Sequence, residues 1–176
     1  MKKFLILMLS IGILSCANNK TEQVSTIKIK DEKAQKISEM MKSYVSNNLD
    51  SSIISDDAKI KFNQLEMTKS DFENLVNTHH AMFSEISFPE GWMETVNYIG
   101  ADVKNAGGKY ADDYGSTWTS HWSDWTAVSK ISGDTISNHC FFGYKWENDK
   151  IVEVSAIFPD EAFNKELAMF MEANKE

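Results

Sequence analysis

The sequence predicts an α+β domain in which helices pack on one face of a curved antiparallel sheet. Three observations point there. Apolar residues at helical spacing are confined to the stretches before Pro89 and after Pro159, and β-branched and aromatic residues dominate from 92 to 158. The last three strands in that central stretch are separated by turns too short for a crossover, so those neighbours must run antiparallel.

Over 32–49, Ile37, Met40, Met41, Tyr44 and Val45 recur every three or four residues and give a first helix one buried stripe. Residues 51–55 suit a further helical turn, and 58–62 alternates Lys59 and Lys61 with Ile60 and Phe62, as a strand with one wet face does. Ser70 and Glu73 stand at capping-box spacing and open a second helix, with Phe72, Leu75, Val76, His79 and Phe83 on one side. That spacing turns His79 inward and leaves His80 at the edge of the stripe. Pro89 and Gly91 end the helical texture. Strands are expected over 92–99, 117–131, 135–146 and 151–158, with a polar loop over 105–115 and tight turns at Gly133-Asp134 and Asn148-Asp149. Pro159 and Asp160 then start a last helix carrying Phe163, Leu167, Phe170 and Met171 on one side.

Ahead of this domain, Lys2 and Lys3 precede an apolar run over 4–14 that ends in small residues, the layout of a secretory signal. The run is too short to span a bilayer, which takes about 20 residues. Ile13-Leu14-Ser15-Cys16 resembles a bacterial lipobox, which implies cleavage before Cys16 and acylation of its thiol and new N-terminus. A multiply acylated cysteine anchors firmly. The expected organisation is therefore a signal over 1–15, a polar tether over 16–31 and a single domain over 32–176. The location implied is the cell envelope, with the outer membrane preferred because no Asp follows Cys16.

Loss of Lys2 and Lys3 with the signal takes the net charge from −8 to −10, and every basic residue in the chain is Lys. An acidic surface without Arg disfavours nucleic acid and other polyanions. Once Cys16 is acylated only Cys140 remains, so no internal disulfide can form, and its neighbours Phe141 and Phe142 suit a buried thiol. No metal-ligand spacing and no cofactor motif is present.

The order of elements resembles the nuclear transport factor two-like superfamily, and within it the SnoaL-like bacterial proteins, over residues 33–172. The local markers are the Ser55-Asp56-Asp57-Ala58 step, the strand from Trp122 to Lys130 leading into the Gly133 turn, and Asp149-Lys150-Ile151-Val152 entering the last strand. The resemblance implies a cone, its sheet wrapped around the helices, with a pocket at the wide end and often a homodimer through the outer face of the sheet. Relatives that are enzymes move a proton beside a carbonyl with a buried carboxylate or a His–Asp pair. Where many of them place an acidic residue after the last strand, this chain has Pro159, with Asp160 one step later.

The candidate site centres on 117–125, where three Trp, one His and one Asp occur in nine positions. Alternation puts Trp118, Ser120, Trp122 and Asp124 on one face and Thr119, His121, Ser123 and Trp125 on the other, unless a bulge intervenes. The expected pocket residues are His79, Trp92, Tyr98, Trp118, Trp122 and Asp124; an equally simple reading makes the same aromatics core and dimer face. His79, Asp124, His121 and His139 are the groups available as a general base, and alternation points His139 outward. Three functions fit: a lipoprotein that binds a small apolar or aromatic molecule in an aromatic-lined pocket, a cofactor-free isomerase, cyclase or dehydratase with a buried His or Asp base, and a dimeric interaction scaffold.

Overall fold

The computed structural model describes residues 24–175, except 90 and 109–111. The proposed signal, Cys16 and the tether as far as residue 23 lie outside the described residues. In chain order the elements are β1 (Thr26–Ile29), α1 (Glu32–Val45), β2 (Ile54–Phe62), β3 (Leu65–Met67), α2 (Lys69–Met82), β4 (Phe83–Ser87), β5 (Trp92–Asn97), α3 (Ala101–Ala106), β6 (Thr117–Ser129), β7 (Thr135–Glu147), β8 (Lys150–Ile157) and α4 (Glu161–Ala173). The sheet runs β1-β5-β6-β7-β8-β2-β3, and β4 pairs with the far end of β6. The architecture is the expected α+β one, an open curved sheet with the helices on its inner face.

The β5 to β8 meander is antiparallel throughout; the short turns require it for β6–β7 and β7–β8, while β5 and β6 are joined by the longer segment that carries α3. Asn148 and Asn148's neighbour Asp149 take positive φ, 46° and 62°, the two left-handed positions of a two-residue hairpin. One edge departs from the expectation: β2 lies parallel to β8, because it enters the sheet from α1 rather than through a hairpin. The domain also begins earlier than its helical periodicity suggests. Residues 26–29, expected in the tether, pair with β5 from Thr26↔Asn97 to Ile29↔Glu94.

The helix ends have local causes. Asp31 caps α1 by accepting from the Ala34 amide at 3.0 Å. The capping box of α2 is Thr68 with Asp71, each taking the other's backbone N–H, and not Ser70 with Glu73; the Glu73 carboxylate instead accepts from the Ser51 hydroxyl. The second helix stops at Met82, and Phe83 begins β4, buried either way.

A buried polar chain ties α1 to the sheet. The Trp146 indole N–H donates to the Thr119 hydroxyl (3.0 Å), Thr119 lies 2.9 Å from Thr95, and Thr95 donates to the Asp31 carboxylate (2.7 Å). An indole can only donate and a carboxylate can only accept, so the direction of every link is fixed. Thr95 and Thr119 are thereby satisfied in a core where an unpaired hydroxyl would cost on the order of 1–3 kcal/mol. At the other end, Glu166 of α4 is buried and accepts from Ser129 (2.5 Å) and Ser132 (3.0 Å), which fastens the last helix to the β6–β7 turn.

Candidate functional site

β6 and β7 stay in unbroken register from Thr117↔Trp146 to Val128↔Thr135, so no bulge reorients the Trp-rich strand. The face that turns inward is the one bearing Thr119, His121, Ser123 and Trp125. Between that face and the helices lies a cavity of about 190 Å³; an apolar cavity of about 150 Å³ already takes up benzene.

Helical spacing brings Phe72, Leu75, Val76 and His79 of α2 to the cavity as one stripe, and α1 adds Met40, Met41 and Tyr44. From the sheet come Trp125, Asn138, Cys140 and Phe142, and from the last connection and α4 come Phe158, Phe163 and Asn164. Leu65 and Asp160, both exposed, mark the rim. Phenylalanine is the commonest residue in the wall and methionine recurs in it, and methionine adapts its shape to what it touches.

Of the expected pocket residues, His79 lines this cavity and the others do not. Trp118, Trp122 and Asp124 stand on the outer face of the sheet, because strict alternation from the buried Trp125 puts them there. Trp92 and Trp122 are 52 % and 54 % exposed and are register partners. The Trp118 indole donates to Asp113 and lies under the Lys145 ammonium. Tyr98 follows β5, its backbone paired with Gly115 and Ser116, away from the cavity wall. The single indole in the wall is Trp125.

The four candidate bases are similarly divided. Asp124 and His139 face each other across β6 and β7 and hydrogen-bond on the outer surface, where the His139 side chain is almost fully exposed. His121 is buried behind the Phe88 and Phe142 rings that line the cavity, stacked on Phe142. Gly91 lets the chain close over it, since a Cβ there would stand 3.0 Å from Nε2. Burial lowers His121 to about 4, and its Nδ1 has no partner among the described residues. His79 is lowered to about 4 by burial first and by the neighbouring His80 second, so both inward imidazoles are neutral near pH 7.

Residues that the sequence did not single out complete the site. Tyr44 hydrogen-bonds His79 Nδ1 at 2.9 Å and accepts from the Trp125 indole N–H at 2.9 Å; burial pushes its hydroxyl above the usual range. Asn138 is an amide on an otherwise apolar strand face, between Ile136 and Cys140, and that break in pattern is the signal that marks it. Its side chain makes no hydrogen bond to the described residues. Cys140 donates to the Asn138 carbonyl, and burial pushes its thiol up to about 11, so thiolate chemistry is absent there at neutral pH. Among the described residues no cluster of His, Cys, Asp or Glu has the makings of a metal site.

Solved structures share this architecture. A candidate polyketide cyclase from Xanthomonas campestris superposes with a TM-score of 0.54 at 9 % identity, over 78 % of this chain and 96 % of its own. A nuclear transport factor two-like protein of unknown function from Burkholderia pseudomallei gives 0.52 at 10 % identity, over 77 % and 96 %. A SnoaL-like candidate polyketide cyclase from Shewanella denitrificans gives 0.51 at 8 % identity, over 77 % and 96 %. No protein-family model and no curated protein gives a match to the sequence. At such identities the likeness is one of fold: the chain has the nuclear transport factor two-like, SnoaL-like fold, and its chemistry rests on its own residues.

Proposed function

We propose that this protein binds a small, largely apolar or aromatic molecule in the cavity between α1, α2, α4 and the β6–β7 face, and does so as a lipid-anchored protein of the cell envelope. The observation that carries the reading is a cavity of about 190 Å³ whose apolar wall is interrupted by two polar side chains with spare hydrogen-bonding capacity, His79 and Asn138. A core built only for stability would close this space, because every unfilled volume forfeits packing. The anchor is supported by the Ile13-Leu14-Ser15-Cys16 sequence and is tested by Cys16→Ser, which should move the protein from the membrane to the soluble fraction.

The cavity reading is tested by native mass spectrometry of the protein purified gently from its own host. A retained small mass is expected that leaves on activation and is missing from a cavity-filled Val76→Trp variant. A bare chain that also fails to take up added indane contradicts it.

A catalytic reading needs a base at the cavity, and Asp160 is the carboxylate among the lining residues. It sits at the rim beside the Asn63 amide, at 3.3 Å. Turnover of a carbonyl compound that is lost in Asp160→Asn would favour an isomerase, cyclase or dehydratase over a binding protein.

The outer face supports a second role for the same fold. Trp92, Trp122, Phe141 and Ile157 are register partners across β5, β6, β7 and β8, and Trp92, Trp122 and Ile157 are exposed. Four apolar residues in a row on open sheet suit a second copy of the chain.

A further inference from the structure

β1 is an outermost strand of the sheet, and among the described residues no strand lies beyond it. It is fastened firmly. The Gly100 backbone N–H donates to the Ser25 hydroxyl (3.2 Å), the Asn97 side-chain amide donates to that of Thr26 (3.2 Å), and Asp31, just past the strand, accepts from Thr95. None of its own side chains is buried. Ile27 and Ile29, register partners of Val96 and Glu94, are 66 % and 55 % exposed, and Val24 just ahead of them is exposed too. An edge strand that offers apolar side chains and an open row of backbone groups is a template for association.

Charge and chain length say with what. From Val24 to Lys30 there are two lysines, Lys28 and Lys30, and no acid, in a mature chain of net charge −10. Both are exposed, and among the described residues neither pairs with a carboxylate. Glu94 accepts from the Trp92 indole and Glu32 pairs with Lys36, so the acids beside the strand have other partners. A second copy paired edge to edge would crowd the Lys28 and Lys30 of both chains along a four-residue ladder, which disfavours it. Val24 follows Cys16 by eight residues, a reach of about 28 Å at full extension. A domain of this size is about 38 Å across. An acylated Cys16 therefore keeps the start of β1 within a domain's width of the bilayer, at high effective concentration.

We propose that the β1 edge docks on an anionic phospholipid surface, with Val24, Ile27 and Ile29 seated among the headgroups and Lys28 and Lys30 against lipid phosphates. The inference rests on the lipid anchor proposed above and adds a second, reversible contact that fixes how the domain is oriented. Depth follows from the backbone: open N–H and C=O groups need water or headgroup partners, so the strand stops at headgroup level. Lysine suits that level, its stem lying on apolar surface while the ammonium stays wet. The acidic remainder of the domain is repelled by the same surface, which leaves the basic edge as the side that faces it. Three apolar side chains and two lysines bind weakly alone, and the anchor makes that weak contact sufficient. β3, whose Leu65 marks the cavity rim, is the opposite edge of the sheet, so docking through β1 does not use the mouth.

The test uses the whole mature protein, purified from its own host and reconstituted on vesicles of phosphatidylcholine and phosphatidylglycerol in equal parts. Ile27→Cys carries a nitroxide spin label, which keeps that position apolar, and Thr135→Cys, exposed at the far end of β7, carries the control label. Cys140 is buried and does not compete for the reagent. Access of a water-soluble nickel chelate to the label at position 27 should fall severalfold on these vesicles, and less on phosphatidylcholine alone, while access at position 135 stays unchanged. Lys28→Glu with Lys30→Glu should restore access at position 27 although the protein still floats with the vesicles. Full access at position 27 in a protein whose Cys16 carries the acyl mass overturns the docking and leaves the anchor standing. A Cys16 without acyl mass overturns both. Shielding that ignores lipid composition and grows with protein concentration puts a second copy on the strand and overturns the proposal.

Discussion

Trp125 and Trp122 stand three residues apart on β6 and face opposite sides of the sheet, the first 7 % exposed and the second 54 %. The inner ring packs edge-on to Phe83 at 5.2 Å and gives its N–H to Tyr44, whereas the outer ring packs on Phe141 at 4.5 Å with solvent beyond. Trp125→Ala should therefore cost about 3–5 kcal/mol of folding stability, the range for truncating a core Trp. Trp122→Asp should change monomer stability by only about 0.5 kcal/mol. Urea denaturation of the two variants checks the contrast.

Sedimentation then tests the outer face. The unsubstituted protein is expected to be a dimer and Trp122→Asp a monomer with an unchanged cavity. A protein that is monomeric at every concentration would remove the role given to the Trp92–Trp122–Phe141–Ile157 row.

Acid should weaken the fold in a defined window. His79 and His121 are both lowered to about 4 from an ordinary 6.5, so between those values the unfolded chain binds protons that the native chain refuses. Stability contributed by keeping these rings neutral is intact above pH 6.5 and declines as pH falls toward 4, by up to about 3 kcal/mol for each ring. Denaturation measured from pH 7 to pH 4 should show the decline, with a shallower slope in His121→Leu. At pH 7 that variant should be no less stable than the parent, because it also removes the unpaired Nδ1.

The last helix depends on a single buried carboxylate. Glu166→Ala strips Ser129 and Ser132 of their acceptor and should cost about 1–3 kcal/mol. Hydrogen exchange should quicken along α4, whose Phe163 and Asn164 help wall the cavity, while amides of β7 keep their protection.

The strand–turn–strand run from β5 to β8 was legible because alternation and turn residues are local signals, and Asn148-Asp149 shows both. The capping box of α2 lies two residues before the spacing of Ser70 and Glu73 suggests, because Thr68-Lys69-Ser70-Asp71 offers two hydroxyls ahead of the acids and only the fold selects the one that caps. β4 was hidden inside the second helix, since Phe83 fits the buried stripe of α2 as well as it fits a strand. Alternation divided the Trp-rich strand into its two faces correctly but carries no sign. The face with two indoles drew the pocket assignment, yet the face with one indole, His121 and two small hydroxyls turned inward, because β7 sets Asn138, Cys140 and Phe142 against it. Partners such as Tyr44 and His79, 35 residues apart, meet only through packing, and no spacing in the sequence announces them.

The central claim, an internal cavity that receives an apolar guest, is tested most directly by an NMR titration of the mature protein with indane. Resonances of Val76, Cys140 and Phe163 should shift saturably while those of Trp92 and Trp122 stay in place. Shifts confined to the outer-face residues, or no shift at the solubility limit of indane, would contradict it.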